Sequence, residues 1–128
     1  MDDDEWVRDS ARLILSYLNW QVELARNGEE AVHLYQQAMA ESPFDFVILD
    51  LSIAEGMDGM ETLKELRQLD PAVRAIVSSG HTDDPAMTDW ERYGFCATIA
   101  KPYSLDTMQT LLRQLTEKWK NNREEKPS

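Results

Sequence analysis

The strongest constraint on the fold is the way two hydrophobic periods alternate along the chain. Three short runs, "FDFVILD" (44–50), "VRAIVSS" (73–79) and "FCATIA" (95–100), are nearly continuous in apolar residues, as strands buried on both faces are. Between and around them lie stretches with apolar residues at three- and four-residue spacing, the period of a helix with one buried face. In "EWVRDSARLILSYL" these are Val7, Ala11, Ile14, Leu15 and Leu18; in the segment after "RNG" they are Ala31, Leu34, Tyr35 and Ala38. "DGMETLKELRQLD" carries Met60, Leu63, Leu66 and Leu69 and is closed by Pro71, and "DPAMTDWERY" reads as a short helix opened by Pro85. The last helix is predicted to start at Ser104, a good N-cap, and to bury Leu105, Met108, Leu112, Leu115 and Trp119. A further segment, "WQVELA" (20–25), has period two, with Trp20, Val22 and Leu24 on one side, and is predicted as a strand.

Strands and helices in regular alternation build right-handed βαβ units, hence a doubly wound α/β fold: a parallel sheet with helices on both faces. At 128 residues the chain suits one domain, predicted over 1–120, and the polar "NNREEKPS" (121–128) reads as a tail. The formal net charge of −11 argues against nucleic acid as a partner, because binding a phosphate backbone requires clustered Lys and Arg. No apolar run approaches the ~20 residues of a membrane span, and acids rather than basic residues follow Met1, so neither a membrane span nor a signal peptide is expected. The single cysteine, Cys96, excludes an internal disulfide and a cysteine-based zinc site, which suits a cytoplasmic location.

In open parallel sheets ligands bind beyond the carboxyl ends of the strands. The three apolar strands end in Asp50, in Ser78 and Ser79, and at Lys101 and Pro102. Singly, each has an ordinary explanation as turn or surface chemistry. Together they place a carboxylate, a hydroxyl and an ammonium at one edge, a set suited to phosphoryl transfer: a nucleophile, a cation and a hydrogen-bond donor. A hard divalent metal with oxygen ligands would complete it.

This set resembles the receiver domain of two-component response regulators, with its flavodoxin-like architecture, over nearly the whole chain. The resemblance implies that Asp50 in "VILDLS" is the phosphorylated aspartate, that Asp2 and Asp3 in "MDDDEWVR" are the acidic pair that binds Mg²⁺ with Asp50 and the main-chain carbonyl of Ser52, and that Ser79 in "IVSSG" and Lys101 in "AKPY" bind the phosphoryl group and switch. It implies a phosphoacceptor rather than an enzyme, with a histidine kinase or histidine phosphotransfer protein as donor. The alternative is a receiver-like interaction module that is never phosphorylated. Phosphatases of the haloacid dehalogenase type fit less well, since they need a second aspartate where Ser52 stands.

The loop "DLSIAEGMDGMETL" is one residue longer than the commonest receiver loop and resembles those of hybrid sensor kinases. Three departures from the family pattern stand out. Thr98 occupies the place of a switch aromatic three residues before Lys101, and Ala54 replaces a loop proline. The third is the largest: the apolar strand that should precede the acids is missing or truncated, leaving only Met1 of it. The preferred explanation is that the natural chain begins upstream; the alternatives are direct pairing of "WQVELA" with "FDFVILD", or a strand donated by a partner chain or a homodimer. His81 is expected as an exposed loop residue, His33 as structural, Trp20, Trp90 and Trp119 as packing residues, and Trp6 as a partly exposed neighbour of the acids.

Overall fold

The computed structural model describes residues 1–125; residues 126–128, part of the segment read as a tail, lie outside the described residues. In chain order the elements are α1 (Glu5–Tyr17), α2 (Gly28–Met39), β1 (Val47–Asp50), α3 (Gly59–Leu69), β2 (Ala75–Ser79), α4 (Pro85–Thr88), β3 (Ala97–Ala100) and α5 (Leu105–Glu125). The strands form one parallel sheet in the order β1-β2-β3, with Asp50 beside Ser78 and Ser79 beside Ala100. Parallel order with a helix in every crossover is the doubly wound arrangement that the alternating periods predict.

The helices begin where side chains can satisfy their free amide groups. Asp4, Asn27, Asp58 and Asp84 each accept a hydrogen bond from an amide in the first turn of α1, α2, α3 and α4, and Ser104 does so for α5 from Thr107 at 3.1 Å. Helix α1 ends at Tyr17 with Leu18 as its C-cap, and Asn19 just beyond has a φ of 70°, the left-handed conformation that Asn tolerates and that stops a helix.

Two apolar clusters lie on opposite faces of the sheet. One joins Tyr35, Leu49, Leu63, Leu66, Val77 and Phe95 beneath α2, α3 and α4; the other joins Leu15, Ile76, Ile99, Met108, Leu112 and Leu115 beneath α1 and α5. Alternate residues of β2, Ile76 and Val77, feed opposite clusters because successive strand side chains point to opposite faces. At the amino ends of the strands Trp20 meets Phe46 edge-on at 5.0 Å and Phe46 lies 6.0 Å from Trp119, on which the Arg74 guanidinium rests at 4.5 Å. Trp20, Trp90 and Trp119 thus pack as the apolar patterns predict.

Inside the first cluster the Tyr35 hydroxyl donates to Asp70 Oδ2 at 2.6 Å, joining α2 to the residue that closes α3. Burial, with the Asp70 carboxylate beside it, pushes the Tyr35 hydroxyl pKa well above its ordinary value. Tyr35→Phe is expected to lower stability by about 1.5–3 kcal/mol, the net value of one hydrogen bond to a charged acceptor, as read from urea denaturation. A loss below about 0.3 kcal/mol would show that water replaces the hydroxyl at no cost.

Several sequence expectations need correction. "WQVELA" keeps its alternation, with Trp20, Val22 and Leu24 half-buried and Gln21 and Glu23 exposed, yet it is extended chain and not a strand. Nor does it pair with "FDFVILD": among the described residues no main-chain hydrogen bond joins the two. The physical reason is that Met1 and Asp2 lie between them. Asp2 N–H donates to the Ala25 carbonyl, and the Asp50 N–H donates to Met1, so the two residues form the last rung of a central strand. Leu105 is 37% exposed rather than buried, since it opens α5 beyond the edge of the sheet. His33 lies exposed on the outer face of α2 rather than in a structural position. Helix α5 runs to Glu125, five residues into the segment read as a tail.

Candidate functional site

Asp2, Asp3, Asp50, Ser52, Ser79 and Lys101 all lie at or next to the carboxyl edge of the sheet. Asp50 ends β1 and is 1% exposed; Asp2, in the central rung beside it, is 3% exposed. The Lys101 ammonium leaves β3 and sits between them, 2.8 Å from Asp2 Oδ2 and 3.0 Å from Asp50 Oδ1. Ser52 also stands at the site through its main chain, its amide donating to Asp50 Oδ1 at 3.3 Å. The second oxygen of Asp50, Oδ2, is buried and has no hydrogen-bond partner. An unsatisfied carboxylate oxygen in an interior costs free energy, and a cation or an electrophilic phosphorus would relieve that cost.

The opening acids have three different attachments. Asp2 holds Lys101 through Oδ2 and accepts from the Asp4 amide through Oδ1; Asp3 accepts from the Ala54 amide at 3.0 Å; Asp4 caps α1 by accepting from the Trp6 amide at 2.9 Å. The Arg8 guanidinium donates to the Asp2 carbonyl at 2.9 Å, fixing the short N-terminal segment to α1. Asp2, Asp3 and Asp50 each offer a carboxylate oxygen, and these lie within 4.8 Å of one another. Three carboxylates opposite one ammonium leave negative charge uncompensated, and an all-oxygen donor set with an orphaned buried oxygen suits Mg²⁺.

Electrostatics agree with this geometry. Burial raises the Asp50 carboxyl pKa above its ordinary 3.8; the neighbouring Asp2 charge adds to the rise, and Lys101 and the Ser52 amide only partly offset it. Burial alone would lower the Lys101 ammonium, but hydrogen bonds and charge from Asp2 and Asp50 outweigh it and hold its pKa above the usual lysine value.

Ser79 is 1% exposed, and its Oγ accepts the His81 amide at 2.9 Å. This leaves the hydroxyl proton to donate elsewhere. Thr98, at the place of the switch aromatic, is half-buried and its hydroxyl donates to Met87 Sδ at 3.1 Å, tying β3 to α4. His81 and Trp6 are both exposed, Trp6 at 82%.

Sequence reasoning missed three supports of the site. The cap made by Asp4 was legible, since an acid directly before an apolar helical pattern is a start signal. Tyr103, whose hydroxyl shares a 2.6 Å hydrogen bond with Ser78 Oγ and whose pKa burial pushes up to about 12, gives no signal in sequence because only the fold brings β2 and the segment after β3 together. Gly59 is the third: a Cβ there would meet the Asp50 carbonyl oxygen at 2.5 Å, so α3 packs against the end of β1 only because residue 59 has no side chain.

Residues 1–113 match the family described as response regulator receiver domain. The chain is 28% identical over 114 residues to the transcriptional regulatory protein ZraR of Escherichia coli (strain K12), covering 89% of this chain and 25% of ZraR; it thus spans about a quarter of that relative. It is 26% identical over 114 residues to sporulation initiation phosphotransferase F of Bacillus subtilis (strain 168), covering 89% of this chain and 88% of that protein. Among solved structures, the receiver domain of NtrX from Brucella abortus superimposes with a TM-score of 0.77 at 24% identity over 91% of this chain and 94% of that one. A chain of the CheX-CheY-BeF3-Mg+2 complex from Borrelia burgdorferi does so with a TM-score of 0.80 at 23% identity, over 90% of this chain and 84% of that one. With strand order, sheet-edge chemistry and family match in agreement, the chain belongs to the response regulator receiver domain family, the phosphoacceptor domains of two-component signalling.

Proposed function

We propose that Asp50 is the phosphoacceptor, taking a phosphoryl group from a phosphohistidine on a sensor kinase or a histidine phosphotransfer protein. A carboxylate oxygen of Asp50 attacks phosphorus, the phosphorus–nitrogen bond to the donor imidazole breaks with its electron pair passing to that nitrogen, and an acyl phosphate forms on Asp50. The observation that carries this reading is the state of the Asp50 carboxylate: Oδ1 is oriented by Lys101 and the Ser52 amide, while the buried Oδ2 has no partner.

Asp2, Asp3, Asp50 and the main-chain carbonyl of Ser52 would hold Mg²⁺, which when bound supplies charge neutralisation for the phosphoryl oxygens. Lys101 supplies the fixed cation on the other side. Its ammonium already touches Asp50 and is free to turn from Asp2 to a phosphoryl oxygen. Ser79 has a proton to donate to a second oxygen, and because its Oγ accepts from His81, any movement of the hydroxyl pulls on the loop that leads into α4. The Thr98–Met87 contact gives α4 and β3 a shared response without the usual aromatic. What favours phosphorylation over a silent interaction module is that the N-terminal acids are anchored, Asp2 by Lys101 and Ala25, and Asp3 by Ala54.

The test is tryptophan fluorescence during Mg²⁺ titration, with and without beryllofluoride, since Trp6 is exposed within the same segment as the acids. A saturable change with Mg²⁺, strengthened by beryllofluoride only when Asp50 is present, is the expected result. No response from a protein that circular dichroism shows to be folded would favour the silent module.

A further inference from the structure

We propose that Glu29 is a positioning residue for the Mg²⁺ site: its carboxylate clips the loop 51–58 to the first turn of α2 and so holds the Ser52 carbonyl and Asp3 where a cation needs them. That role rests on the reading of Asp2, Asp3, Asp50 and the Ser52 carbonyl as the ligands. Glu29 itself is exposed and is not among the acids whose oxygens converge, Asp2, Asp3 and Asp50, so it acts on the cation through the loop rather than by touching it.

The loop between β1 and α3 needs an outside hold. Its sequence, "LSIAEGMD", has no proline to restrict the backbone, and residues 54–56 are exposed. Among the described residues no main-chain hydrogen bond joins one residue of the loop to another. Near the site the loop is tied to the acids: the Ser52 amide donates to Asp50 Oδ1 at 3.3 Å and the Ala54 amide donates to Asp3 Oδ2 at 3.0 Å. Those carboxylates are the groups that a cation would draw on. An anchor independent of the cation must therefore lie farther along the chain.

Met57 is that anchor. The Gly28 amide donates to the Met57 carbonyl at 2.9 Å, and the Met57 amide donates to Glu29 Oε1, so successive residues of α2 take both main-chain polar groups of one loop residue. The second bond has an ionised acceptor and is the stronger kind. Gly56 makes room for it: its φ is 95°, which residues with side chains rarely adopt, and a Cβ there would lie 2.6 Å from Glu29 Oε2. The helix that presents Glu29 is itself fixed, capped by Asn27 and tied to Asp70 through the buried Tyr35. A loop pinned at Met57, three residues past Ala54, has less freedom to lose when a cation orders the Ser52 carbonyl and Asp3.

The experiment compares wild type, Glu29→Ala and Glu29→Gln in the full chain, by amide hydrogen exchange without metal and by Mg²⁺ titration followed through amide chemical shifts. Glutamine keeps the acceptor oxygen and loses the charge; alanine loses both. In Glu29→Ala the Met57 and Ala54 amides are expected to exchange faster, and Mg²⁺ to bind about fivefold more weakly. Glu29→Gln should stay within about twofold of wild type in affinity, because an exposed charge acting at a distance is screened by salt. Equal weakening in both variants would overturn the proposal, since charge and not the clip would then be responsible. Faster exchange confined to Met57, with Ala54 exchange and Mg²⁺ affinity unchanged, would overturn it as well and leave the ligand assignment standing. A wild type with no saturable Mg²⁺ response would instead remove the ligand assignment, and the role of Glu29 with it.

Discussion

Asp50→Asn is expected to abolish phosphoryl uptake from acetyl phosphate, by more than about 100-fold, and at the same time to raise the melting temperature at neutral pH. The first effect follows from removing the nucleophile; intact-mass measurement after incubation with acetyl phosphate and Mg²⁺ reads it directly. The second follows from linkage. Burial raises the Asp50 carboxyl pKa above 3.8 in the folded protein, so the folded state binds the proton more tightly than the unfolded chain does. A group of this kind favours folding below its unfolded pKa and loses that contribution as pH rises through its folded pKa. At neutral pH the buried charge therefore opposes folding, whereas an amide of the same shape has no charge to desolvate. The gap between variant and wild type should narrow as pH falls toward 3.8, and added Mg²⁺ should narrow it by stabilising the wild type selectively. A variant that is less stable than wild type at pH 7 would mean that the Lys101–Asp50 attraction outweighs burial.

Lys101→Met should act in the opposite direction, costing about 3–5 kcal/mol at neutral pH as measured by urea denaturation. Its ammonium is the cation in hydrogen-bonding contact with both Asp2 and Asp50, which are 3% and 1% exposed. Removing it leaves two neighbouring carboxylates in a nearly dry site, and each further raises the cost of charging the other. The folded-state pKa of Lys101 lies above its ordinary 10.5, so its contribution is complete throughout the neutral range and is lost only as pH rises through that higher value. The deficit of the variant should accordingly be constant from about pH 7 to 9 and shrink on acidification, as the orphaned carboxylates take up protons. Mg²⁺ should restore part of the stability through the same acids. A loss under about 1 kcal/mol would show that water enters the site and screens the pair.

Much of this molecule is legible in its sequence, and the reason is local. The strands at 47–50, 75–79 and 97–100 and the helices between them follow from hydrophobic periods that depend only on near neighbours. Asp50, Ser79 and Lys101 were identifiable because parallel topology sends every strand's carboxyl end to one edge, so that residues far apart in sequence acquire a common address. The period of "WQVELA" was also read correctly, but a strand needs a ladder, and pairing is a property of two segments. Only the tertiary structure decided that Met1 and Asp2 lie between that segment and β1, that the three opening acids divide into a lysine partner, a loop anchor and a helix cap, and that one oxygen of Asp50 is left without a partner. Hydrogen bonding and burial at those atoms depend on groups brought together across 50 to 100 residues, such as Asp2 and Lys101 at a separation of 99, and no local pattern encodes such distances.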